Sequence, residues 1–200
     1  MDRDPAPGPA RGVGRVSAAR RGAVVFFTGL SGAGKSTIAN ALVAALRSAG
    51  ETDVSLLDGD EVRRHLSSDL GFDPASREAN VDRVAHVAAG IAARGGIAVT
   101  ALIAPFESGR RRARELVEPA GAFVLVHVHA PLAVVEARDV KGLYARARAG
   151  EILEFTGISS PFEPPTAAEV VIDTTTTPVH EAVARIRSAL ELARSGLPKA

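Results

Sequence analysis

Eight consecutive residues carry the densest chemical signal in this 200-residue chain. Gly29-Leu30-Ser31-Gly32-Ala33-Gly34-Lys35-Ser36 fits the pattern G-x-x-x-x-G-K-[ST] without slack, and Thr37 follows. Glycines at these positions let backbone N–H groups converge on a phosphate with no Cβ in the way. Lys35 is placed to reach the β- and γ-phosphates of a nucleotide, and the Ser36 hydroxyl to ligate Mg²⁺. A helix opening at this point turns its positive end toward the anion. The plain alternative, a Gly-rich turn with an exposed lysine, lacks the flanking strand and helix that the sequence supplies here.

A second acidic loop lies further on. Asp58-Gly59-Asp60 ends an apolar run, and Arg63 follows. Asp60 is a candidate to orient or deprotonate an acceptor hydroxyl, or to hold magnesium. Asp58 is expected to do no more than shape the turn. An Asp-Gly turn followed by a helix N-cap is the bland alternative.

These loops need elements to hold them. Ala23–Thr28 is short and wholly apolar, as a strand buried on both faces would be. Helical spacing runs over Ser36–Ala49 through Ile38, Leu42, Val43 and Leu46, and Gly50 stops it. Val54–Leu57 reads as a strand, Arg77–Arg94 as a long helix ended by Gly95-Gly96, and Ile97–Ile103 and Phe123–Val128 as strands. Leu132–Arg138 reads as a helix, Val170–Ile172 as a last strand and Val179–Leu192 as a closing amphipathic helix. Strands alternating with helices imply an α/β fold with a parallel sheet and right-handed crossovers, with ligands at the carboxyl ends of the strands.

Composition narrows the classes. The length suits one core, not two domains, and aromatics make up only 4% of residues. There is no cysteine, which removes disulfides, thiolate zinc sites and cysteine nucleophiles. Residues 1–22, rich in Pro, Gly and Arg, read as a disordered tail ahead of a single domain over 23–200. Five arginines there against Asp2 and Asp4 give +3, so a net charge of +1 leaves the remainder near −2 and no broad footprint for nucleic acid. The cluster Arg110, Arg111, Arg112 and Arg114 reads as a solvated helix face. No apolar run approaches the ~20 residues needed to span a bilayer. A soluble, cytoplasmic protein is expected. His127 and His129 share a strand face, but a metal pair there lacks a third ligand and packed positions are favoured.

From about Gly22 to Thr174 the chain resembles the adenylylsulfate kinases. The phosphate loop is generic. The more specific segments are Leu70-Gly71-Phe72 with Arg77 and Asn80, then Arg138-Asp139, Lys141-Gly142-Leu143-Tyr144, Ala147-Arg148-Ala149-Gly150-Glu151 and Phe155-Thr156-Gly157-Ile158. The resemblance implies a three-layer P-loop nucleotide-kinase fold, with a parallel five-stranded sheet of order 2-3-1-4-5. It implies transfer of the ATP γ-phosphate to the 3′-hydroxyl of adenosine 5′-phosphosulfate, with Mg²⁺. Lys35, Asp60 and Lys141 would be catalytic, with Ser36 and Asp60 on the metal. Residues Gly29 to Thr37 and Arg138 would bind ATP. Asp60, Arg63, Phe72, Arg77, Asn80, Ile103, Lys141 and Phe155 would bind the acceptor, Phe72 and Phe155 sandwiching its adenine and the guanidinium forks meeting its sulfate and phosphate oxygens. A lid over about 138–160 would bring Lys141 to the phosphates on closure. A homodimer is implied, and an ATP sulfurylase is a further candidate partner.

The chain departs from the family pattern in places. Ala104 stands in Ile103-Ala104-Pro105-Phe106 where many members carry a serine, so no phosphoserine intermediate forms there. Ala79 replaces a usual Glu, Val140 a usual Pro, and Ser159-Ser160-Pro161-Phe162 a usual Asp-x-Pro-Tyr. Two other readings keep the same fold: a P-loop kinase acting on another acceptor, and a non-catalytic ATP-binding subunit of a sulfate-activation complex. Phe72, Arg77, Asn80 and Phe155 weigh against the first; intact Lys35, Ser36, Asp60 and Lys141 weigh against the second.

Overall fold

The computed structural model describes residues 21–196, so the tail expected over 1–22 lies almost wholly outside the described residues. Five parallel strands form one sheet: β1 (Ala23–Thr28), β2 (Val54–Asp58), β3 (Ile97–Ala101), β4 (Ala122–His129) and β5 (Val170–Asp173). Their order is β2-β3-β1-β4-β5, as the family resemblance implies. Ala23 of β1 sits opposite Ile97 on one side and Ala122 on the other.

The apolar run of β1 is explained by burial on both faces. Ala23, Val25 and Phe27 point into a layer with helices α1 (Lys35–Ser48) and α7 (Val179–Ser195). Val24 and Phe26 point into the opposite layer, with α3 (Pro74–Ala93) and α4 (Glu107–Val117). Successive strand side chains alternate faces, so a strand covered on both sides needs apolar residues throughout.

Three short helices complete the chain: α2 (Gly59–His65), α5 (Leu132–Arg138) and α6 (Leu143–Arg148). Helix α3 begins three residues before the expected Arg77, because Asp73 caps it through the Ser76 amide and Pro74 suits the first turn. Strand β3 ends at Ala101, two residues short of the expected Ile103.

The arginine cluster is not a solvated face. Arg110 is 1% exposed, Arg112 pairs with Glu78 and Asp82, and Arg114 binds Glu169 with its guanidinium 4.6 Å from the Phe123 ring centre. Of the four, Arg111 is the one whose side chain is largely in solvent. The expectation failed because three of the four, Arg110, Arg112 and Arg114, meet a carboxylate or carbonyl supplied from far along the sequence, while Arg111 pairs only with Glu115 of its own helix.

Candidate functional site

The chain leaves β1 into the phosphate loop. Gly29 takes φ 145°, and a Cβ there would lie 2.1 Å from the Val128 carbonyl oxygen, so β4 forbids any side chain. Gly34 caps α1 at φ 102°, the left-handed region that glycine enters freely. Lys35 is buried and donates to the carbonyls of Gly29 (2.9 Å) and Leu30 (2.7 Å). Burial lowers its pKa to about 8, the nearby Lys141 cation adds to this, and Asp58 and Asp60 oppose it.

The second loop follows β2. Ser36 Oγ donates to Asp58 Oδ2 at 2.6 Å, and Asp58 Oδ1 also accepts from the Asp60 amide to cap α2. Asp58 therefore does more than shape a turn: it ties α2 to the first turn of α1. The Asp60 carboxylate forms an ion pair with Lys141. Ser36, Asp58 and Asp60 bring oxygen donors of the kind Mg²⁺ prefers to one side of the phosphate loop.

A cleft of about 740 Å³ opens over both loops. It collects Ser31, Gly32, Gly34, Lys35, Ser36, Thr37, Asp60, Arg63, Phe72, Arg77, Asn80, Ile103, Arg138, Lys141 and Phe155. Three residues named from the phosphate-loop motif stand apart. Ala33 is buried in the core, the Leu30 side chain lines a neighbouring cavity, and Gly29 contributes its carbonyl to Lys35.

The two expected rings differ in setting. Phe72 is 63% exposed, with the Arg63 guanidinium 4.7 Å from its ring centre. Phe155 is buried, meets Tyr144 edge-on at 4.9 Å, and belongs to the core beneath the lid as well as to the cleft wall. Arg77 spans the two: Nε donates to the Phe72 carbonyl (2.6 Å), and the terminal nitrogens donate to the Glu154 carbonyl and the Thr156 hydroxyl, which flank Phe155. The guanidinium read as an oxyanion clamp thus donates from each of its three nitrogens to the walls. Asn80 Oδ1, buried at the cleft, has no partner among the described residues and is the polar atom most in need of a ligand.

The segment expected to act as a lid is bonded to the rest of the chain through Arg138 and Tyr144. Arg138 donates to Gly32 O, Thr174 Oγ1 and Thr174 O. Asp139 takes φ 20° and accepts from the Tyr144 and Ala145 amides, covering the first turn of α6. Tyr144 Oη donates to the Ser31 carbonyl at 2.9 Å.

The adenylylsulphate kinase family model matches residues 21–173, more than half of the chain. This chain belongs to the adenylylsulfate kinase family. It is 56% identical over 168 residues to the adenylyl-sulfate kinase of Paraburkholderia xenovorans, covering 84% of this chain and 92% of that one. Its fold matches that of the Mycobacterium tuberculosis APS kinase CysC in complex with AMPPNP and APS. The TM-score is 0.82 and identity 39%, over 86% of this chain and 99% of that one. It also matches the hexameric APS kinase from Thiobacillus denitrificans at TM-score 0.67 and 43% identity, over 86% of this chain and 29% of that one.

Within this adenylylsulfate kinase framework, Ala104 takes φ 42° although it is not glycine. Residues the motif reading missed are Asp58, Tyr144 and Arg110. Asp58 was visible as an acid at a strand end. Tyr144 was visible in the family segment but without a role, and nothing local in sequence marks Arg110 as buried. The rings of His127 and His129 meet edge-on at 5.6 Å, and no group of three potential metal ligands occurs among the described residues. Burial lowers the His127 pKa to about 4, with His129 and Arg110 adding to the effect, so His127 is neutral at ordinary pH.

Proposed function

We propose that this chain transfers the γ-phosphate of ATP to the 3′-hydroxyl of adenosine 5′-phosphosulfate, giving 3′-phosphoadenosine 5′-phosphosulfate and ADP. The observation that carries the reading is the single cleft. It joins the phosphate loop to Phe72, Phe155 and the unpartnered Asn80 oxygen, with the Asp60–Lys141 pair between the two halves.

Transfer is direct and in line. The 3′-oxygen attacks the γ-phosphorus, the bond to the β–γ bridging oxygen breaks, ADP leaves, and Asp60 accepts the hydroxyl proton. Ala104 offers no hydroxyl, so no phosphoenzyme forms there. Lys35 and Lys141 counter the charge on the transferring group and on the leaving ADP. Backbone amides of Gly29 to Thr37 cradle the phosphates, and Arg138 borders the nucleotide. Arg63 and Asn80 orient the acceptor, and Ile103 floors its pocket. Arg77 acts by holding the two ring walls together. Magnesium fits the oxygen donors of Ser36 and Asp58, with Asp60 adjacent, and when bound would screen charge between the β- and γ-phosphates.

The wider expectations stand with this reading: a homodimer, an ATP sulfurylase as partner, and a cytoplasmic setting. No described helix is long and apolar enough to cross a membrane.

The test is ADP release with Mg-ATP in the presence of adenosine 5′-phosphosulfate, or of adenosine, AMP or gluconate. Turnover with the phosphosulfate nucleotide alone, abolished in Asp60→Ala, is expected. Turnover with a decoy, or none with any acceptor, overturns the reading.

A further inference from the structure

Arg110 is the largest fully buried side chain in the molecule's described part, and no step of the reaction uses it. It lies on α4, outside the cleft lining. Nη1 donates to the Ala104 carbonyl (2.7 Å), and Nη2 to the Glu163 carbonyl and the Glu107 carboxylate (2.7 and 2.6 Å). Nε has no partner, and the guanidinium sits 6.0 Å from the Phe162 ring centre. Burying an incompletely satisfied cation opposes folding, so an apolar residue would serve a purely structural purpose better. What the guanidinium gains is hold over two peptides.

Those peptides are the floor of the acceptor pocket and the chain returning from the lid. Ala104 is in the left-handed region, where a non-glycine residue persists only when its surroundings over-determine it. Its carbonyl is fixed by Arg110 from one side and by Thr28 Oγ1 (3.1 Å) from the other, while the Ile103 carbonyl accepts from Thr28 Oγ1 (2.7 Å) and the Gly29 amide (3.3 Å). The 163 segment closes the clamp: the Glu163 amide donates to the Pro105 carbonyl (2.9 Å), and the Glu163 carboxylate accepts from the Glu107 amide (2.6 Å).

We propose that Arg110, with Glu163, is a positioning residue that sets the acceptor pocket by clamping the strained Ile103–Pro105 floor to the chain leaving the lid. It acts chiefly on the acceptor half: the phosphate loop meets this floor at one point, the Gly29 amide on the Ile103 carbonyl, and is held besides by Lys35 on the Gly29 and Leu30 carbonyls. The inference rests on the proposed acceptor.

The experiment measures KM for each substrate, kcat and thermal midpoint for wild type, Arg110→Lys, Arg110→Met and Glu163→Ala. Arg110→Met is expected to raise KM for adenosine 5′-phosphosulfate roughly tenfold or more, as misplacement of a binding wall does, with KM for ATP held within about twofold. Arg110→Lys keeps one of the donors and should fall between. Glu163→Ala removes the carboxylate contact, keeps the fold-buried arginine, and should raise the same KM about threefold or more. If Arg110→Met does not fold, Glu163→Ala decides. A rise of both KM values together, or a lower thermal midpoint with both unchanged, overturns the clamp. Failure of wild type to use the phosphosulfate nucleotide would instead overturn the acceptor assignment itself.

Discussion

Lys35 rests on the carbonyls of its own loop, its pKa held near 8 by burial and by the Lys141 cation. Its folded pKa lies below the unfolded value of 10.5. The folded state therefore carries a penalty for charging Lys35 below pH 8, and this is relieved as pH rises from about 8 to 10.5. Binding has the opposite sense, since the phosphates need the ammonium. The ratio kcat/KM for ATP should fall above about pH 8, while the limb in kcat lies higher because bound phosphate restores the charge. Lys141→Gln removes the like charge and also frees Asp60, and both changes move the kcat/KM limb upward; an unmoved limb in a pH series would reject this. Asp60→Asn should lower kcat by about 10²–10⁴-fold and leave ATP binding by calorimetry near wild type. At this scale the sequence was half legible. The phosphate-loop motif located Lys35 and Ser36 and the second acidic loop Asp60, but the bonds of Asp58 to Ser36 and of Arg77 to Thr156 span 22 and 79 residues, which no local pattern encodes.

The segment over 138–160, proposed above as a lid, is short helices and loops bonded to the rest of the chain through Arg138 and Tyr144. Tyr144→Phe deletes the donor to the Ser31 carbonyl and should weaken lid docking by about 1 kcal/mol. Amide exchange over 143–148 should quicken and KM values rise several-fold, with the thermal midpoint little changed; unchanged exchange would mean that the bond does not hold the lid. The long helices were readable because their periodicity persists: α1 and α7 shift by one to three residues at their ends, and the short β1 and α5 fall at the expected residues through their unbroken apolar runs. Helices α2 and α6, of seven and six residues, are too short to show a period, and their starts are fixed by the side chains of Asp58 and Asp139. For α4 the helix was legible but the burial of its arginines was not, because Glu163 and Glu169, which meet Arg110 and Arg114, lie some 50 residues on.

The described residues form a sheet covered by two helical layers, with the cleft at the carboxyl ends of its strands. Leu190 of α7 is buried in the core layer shared with α1 and does not line the cleft. Leu190→Ala should cost about 2–5 kcal/mol of stability and lower the denaturation midpoint, while kcat at a permissive temperature stays within about twofold. A parallel fall in kcat would show that the α7 layer is coupled to the site. The alternation of strands and helices and the P-loop made the architecture legible, yet they are shared by kinases of many acceptors. Only the acceptor half of the cleft separates these. The decisive measurement is therefore the position of the new phosphate. With γ-labelled ATP, Mg²⁺ and adenosine 5′-phosphosulfate, the account predicts the label in a phosphomonoester whose ³¹P signal couples to the ribose H3′. Label in inorganic phosphate alone, or on any other atom of the acceptor, would contradict it.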